Sequence, residues 1–217
     1  MKSKINSNCY PLRLSALVLA LSVAGLSACT SILPEPKPAP AIYRLSVPEM
    51  TGNVHSSGPV VNIMMPTAPH VLGGTDIILS PDGRRLTSAA GARWAEPVPE
   101  QLRHVLLDAL AQDGQVLGVI PQGGTNAQFW LNMDIRAFEA DFDQGEDQPP
   151  LAVVQLVLNM TETGSRKLLG TKNIRATARA DERRVSSIVE AQDVATRKAM
   201  QEAVSWIKSM TGAHEKS

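Results

Sequence analysis

Between residues 129 and 138 apolar and polar side chains alternate. Phe129, Leu131, Met133, Ile135 and Ala137 fall on one face, the period-two signature of a half-buried strand. Residues 151–160 are apolar on both faces, as in a central strand. Thr163-Gly164-Ser165 turns the chain into a further strand over about residues 168–178. The period changes to that of a helix twice. Leu102, Val105, Leu106, Ala109 and Leu110 form one stripe, opened by Pro99 and stopped by Gly114. Ala195, Ala199, Ala203, Trp206, Ile207 and Met210 form another, with Ser187 and Glu190 spaced as a capping box and Gly212 as the stop. So many alanines imply a helix lying close to a sheet.

The N-terminal half is more broken. Strands are expected at residues 43–47, closed by Pro48, and at residues 60–65, stopped by Pro66. Residues 77–79 and 84–86 flank Pro81-Asp82-Gly83, a hairpin signal. Residues 94–99 lead into the first helix, and a short strand follows at residues 116–120. The pattern predicts an α+β single domain: a mixed or antiparallel sheet with two main helices packed on one face. No internal repeat is found.

Ahead of this domain lies a different kind of segment. Lys2, Lys4 and Arg13 precede an apolar run at residues 14–25, and no acidic residue occurs before Cys29. The run is too short for a membrane span of about 20 residues; basic, apolar and small residues in that order mark a secretory signal. Leu26-Ser27-Ala28-Cys29 resembles the bacterial lipobox, which implies diacylglycerol on the Cys29 thiol and cleavage between Ala28 and Cys29. Prolines 34, 36, 38 and 40 then favour an extended tether. The expected division is residues 1–28 signal peptide, 29–42 lipidated N-terminus and linker, 43–212 domain, and 213–217 tail.

Composition narrows the function. Without residues 1–28 the 217-residue chain keeps 189 residues, 18 basic and 21 acidic. With no Lys/Arg-rich run, nucleic acid is a poor partner. Cys9 lies in the discarded segment, so Cys29 is the sole cysteine left, which excludes an internal disulfide or a cysteine metal site. His55, His70, His104 and His214 lack metal-ligand spacing, and His104 reads as a solvated or core-edge histidine. No nucleophile elbow or phosphate loop is present, and Gly73-Gly74 and Gly123-Gly124 read as turns. Glu139, Asp141, Asp143, Glu146 and Asp147 fail the EF-hand spacing because Gly145 takes a ligand position, so a solvated loop is expected. Neither cofactor nor metal is indicated, and no enzyme activity. Trp94, between Arg93 and Glu96, is either a core plug or a partner contact.

The lipobox cysteine, the proline-rich tether, Tyr43-Arg44-Leu45, and Arg93-Trp94-Ala95-Glu96-Pro97 opening a helix through Leu102, Leu106 and Leu110 carry a resemblance. The final alanine-rich helix with Trp206 and Ile207 fits it too. The chain resembles the ABC-type transport auxiliary lipoproteins, the PqiC-like partners of MCE-domain lipid transporters. The resemblance implies a non-catalytic lipoprotein on the periplasmic side of the outer membrane, docking the far end of a lipid-carrying tunnel. Thr30, where aspartate would retain an enterobacterial lipoprotein in the inner membrane, agrees. Arg93, Trp94 and Glu96 are then a docking or structural motif. A scaffold lipoprotein of another envelope complex and a lipid-binding carrier stay open, as does a homo-oligomer.

Overall fold

A computed structural model describes residues 38–46, 58–121 and 126–214, the side chains of 213 and 214 excepted. The signal segment, Cys29, most of the tether, His55, Gly123-Gly124 and the last three residues lie outside this set. The compact unit begins at Ala39.

Its centre is a meander of three long strands: β6 (Phe129–Asp141), β7 (Leu151–Glu162) and β8 (Leu168–Arg179). They pair antiparallel, with Leu131 opposite Met160 and Leu156 opposite Ile174. The side chains of one face are buried: Leu131, Met133 and Ile135 on β6, and Val154, Leu156, Leu158 and Met160 on β7. Burying each such side chain stabilises by about 1.5–3 kcal/mol. The alternation expected of β6 holds as far as Ile135 and then changes phase. A register shift between Ile135 and Ala137 turns Phe138 and Ala140 inward, while Ala137 is only half-buried. A bulge adds one residue to one strand and so flips every side chain beyond it.

The other edge of β6 is covered in relay. β2 (Val60–Ile63) runs parallel to its beginning, Thr67 bridges to Asp134, and β3 (Asp76–Ser80) runs parallel to its end. Val61 and Leu79 stand eighteen residues apart, but their partners Phe129 and Ala140 only eleven. The surplus forms an arch with a short 3-10 turn at His70–Leu72. β4 (Thr87–Trp94) pairs antiparallel with β3, and β1 (Ala41–Tyr43) lies parallel to β4. β5 (Leu117–Val119) closes the far side against β2. The result is a mixed eight-stranded sheet. The hairpin is wider than Asp-Gly predicts: its second strand starts at Thr87, and Arg84-Arg85-Leu86 belong to the connection.

Two helices, α1 (Val98–Asp113) and α2 (Val185–His214), cover the buried face. Gly114 ends α1 in the left-handed conformation at φ 72°, its N–H bonded to Leu110 O. A Cβ at Gly118 would sit 2.9 Å from Leu110 Cδ1, and one at Gly170 2.9 Å from Met210 Sδ, so both glycines mark where a helix lies close to the sheet. Gly118→Val is expected to cost about 1–3 kcal/mol through overpacking, read as a lower urea midpoint at unchanged slope.

Two expectations about α2 are corrected. Ser187 does not cap it: the helix starts at Val185, and the Ser187 hydroxyl accepts the N–H groups of Asp181 and Glu182 in the preceding loop. Gly212 does not stop it either, because the helix continues to His214. A single glycine in a helix costs only about 1 kcal/mol relative to alanine.

Candidate docking surface

Trp94 is the last residue of β4, not the opening of the helix. Its N–H bonds Thr75 O at 2.7 Å, and the Ala95 N–H bonds Tyr43 O at 2.7 Å. The side chain is 2% exposed, its ring 5.7 Å from that of Phe138 and inclined at 57°. Its Nε1 is buried without an acceptor among the described residues. Arg93 and Glu96, by contrast, are exposed. The motif is therefore split between inside and outside: an indole in the core and two charges at the surface. Glu96 Oε2 lies 3.5 Å from His104 Nδ1, and these two with Arg44, Leu45 and Asp108 line a hollow of about 280 Å³. Burial pushes the Asp108 carboxyl up, with His104 opposing.

The acidic stretch divides as well. Asp143 takes two guanidinium contacts from Arg179 (2.5 and 2.8 Å), which hold its carboxyl below the usual range. Arg183 bonds Glu146 O and Asp147. Among the described residues no group of three His, Cys, Asp or Glu side chains is placed to hold a metal ion.

Glu139 lies on the sheet face away from the helices. Burial, aided by Asp141, pushes its carboxyl above the ordinary 4.5, and Arg175 pulls it back. A carboxyl whose folded pKa exceeds its unfolded one opposes folding when ionised. The deficit is complete above the folded pKa and gone below the unfolded value. Glu139→Gln is thus expected to raise the urea midpoint at pH 7 and leave it unchanged near pH 3. An unchanged midpoint at pH 7 would mean that Arg175 compensates the charge fully.

That outer face also carries side chains the sequence reading passed over. The register sets Val119, Asn62, Trp130, Thr161 and Leu168 in one row across β5, β2, β6, β7 and β8. Trp130 is 38% and Leu168 55% exposed, and Asn62 Oδ1 is buried without a hydrogen-bond partner among the described residues. Strict alternation from the buried Phe129 places Trp130 outside, which was the available signal. Below the row a hollow of about 580 Å³ opens between Pro59, Ala127, Phe129 and Thr163.

Fold and surface together define an α+β domain with one sheet face sealed by helices and the other open; no helix among the described residues is long and apolar enough to cross a membrane. The sequence model of the ABC-type transport auxiliary lipoprotein component family matches residues 43–204. The chain belongs to that family, and so is an auxiliary lipoprotein component of an ABC-type transport system. Among solved structures it is similar to protein XCC0632 from Xanthomonas campestris, with a TM-score of 0.71 at 18% identity, covering 82% of this chain and 100% of that one. A second crystal structure, of an uncharacterized protein, gives 0.61 at 14% identity over 78% of this chain and 99% of the other. At such identities the likeness is one of fold. No curated protein matches the chain.

Proposed function

We propose that this chain is anchored through acylated Cys29 to the periplasmic side of the outer membrane and there holds the far end of an MCE-domain tunnel. The tunnel carries phospholipids or other lipids, and the domain contributes docking rather than catalysis. The observation that carries this reading is the family match over residues 43–204 behind a lipobox and a proline-rich tether. The lipobox supplies an anchor, Thr30 favours the outer membrane, and about 3.1 Å per tether residue sets the domain off from the lipid. Arg93 and Glu96, both exposed, remain candidates for contact, and Trp94 holds the strand end from which they project.

In-cell cross-linking of the full-length lipoprotein, followed by mass spectrometry, tests this. Capture of an MCE-domain protein is expected. Recovery of cell-wall or membrane-insertion factors alone would replace the reading by that of a scaffold lipoprotein. Lipid retained by the delipidated domain would turn it into a carrier.

A further inference from the structure

We infer that the turn between β7 and β8, with the neighbouring end of the open sheet face, is the docking surface for an acidic segment of a partner protein. The inference rests on the docking role proposed above and assigns it a place.

Trp130 and Leu168 stand on either side of Thr161 in the same row, so an aromatic and an aliphatic side chain, both exposed, sit about 10 Å apart at their backbones. Arg166 and Lys167 immediately precede Leu168 in the chain; both are exposed, and neither side chain forms an ion pair among the described residues. At the other end of the sheet Arg85, Arg179, Arg183 and Arg184 each meet a carboxylate, with Arg84 the exception in its turn. The turn is also well fixed. Glu162 and Lys167 pair through the Glu162 N–H (2.9 Å), the Arg166 N–H returns to Glu162 O (2.9 Å), and the Ser165 hydroxyl donates to the Glu162 carboxylate. Two unmatched cations on a fixed backbone turn, next in the chain to an exposed leucine, complement carboxylates flanking an apolar residue.

The direction of the chain favours a protein over a lipid surface here. β1 is parallel to β4 and antiparallel, through β3, to β6. Its first residue, Ala41, pairs with Ala92, beside Arg93, which pairs with Asp76; further along β3, Leu79 meets Ala140. The domain is therefore entered near the C-terminal end of β6, roughly 30 Å at strand rise from the β7–β8 turn. The turn lies at the opposite end of the sheet from Ala41, where the chain enters the domain.

The test uses full-length lipoprotein in its own envelope, with p-benzoylphenylalanine in place of Leu168 and, as a control, of Val71 on the arch. Light should join position 168, but not 71, to a component of the ABC-type transport system, on a peptide rich in Asp and Glu. Adding R166E and K167E should cut that yield at least tenfold, with an unchanged thermal midpoint showing that the fold survives. An undiminished yield, or adducts at 168 of phospholipid mass only, would overturn the assignment while leaving the docking role. Failure of general cross-linking to capture any transport component would remove the docking role and this surface with it.

Discussion

Trp94→Ala is expected to lower the stability of the domain by about 3–5 kcal/mol, the usual loss when a buried aromatic is truncated and its cavity only partly collapses. Against a total of about 5–15 kcal/mol for a domain, this leaves a sizeable unfolded fraction. The indole closes the end of β4, where backbone bonds reach Thr75 on one side and Tyr43 on the other, and it packs on Phe138 in the last part of β6. Truncation removes the contact between these two pieces of sheet. Arg93→Ala and Glu96→Ala, at the surface, should shift stability by no more than about 0.5 kcal/mol. Urea titration of the three variants separates core from surface. A Trp94→Ala variant that kept its stability and lost only partner capture would make the indole a contact residue.

The second large effect concerns the anchor. If the chain is cleaved and acylated as proposed, Cys29→Ala removes the only thiol that remains, and with it every acyl chain. Each buried methylene contributes about 0.8 kcal/mol to membrane binding, and two or more chains are needed for firm attachment. Incorporation of labelled palmitate is therefore expected to fall to background. Labelling that persisted in the variant would show that Cys29 is not the acylated residue. A Cys9→Ala variant, altered only in the segment to be removed, should label normally.

Much of this architecture was readable from local pattern. The stripe from Leu102 to Leu110, the Gly114 stop and the starts of β6, β7 and β8 depend on neighbours a few residues away, and each formed where the sequence placed it. The misses share a cause in long-range pairing. Nothing near Arg136 announces the bulge that turns Phe138 inward; the shift is set by β7 on the facing strand. Trp94 reads as the approach to a helix until Thr75 and Tyr43 claim its surroundings for a strand. Ser187 and Glu190 have capping-box spacing, yet the Ser187 hydroxyl is taken by two loop N–H groups. The parallel alignment of β1 with β4, about fifty residues apart in sequence, leaves no local trace. At the candidate docking surface, Trp130 was visible in the alternation, but Leu168 became its neighbour only through Thr161 on the intervening strand.

The entry of the chain into the domain also has a mechanical meaning. A protein held to a membrane at one end and to a partner at the other carries tension. Here that tension would arrive at β1, whose hydrogen bonds to its parallel neighbour β4 are the first it meets in the domain. Immediately beyond the strand, the Leu45 N–H is tied to Gln101 of α1 at 3.3 Å, and Ser46 donates twice to Asp193 of α2, at 2.7 and 2.8 Å. A pull on the anchor is thereby shared among the sheet edge and both helices, and a strand of three residues becomes a grip suited to a tethered load.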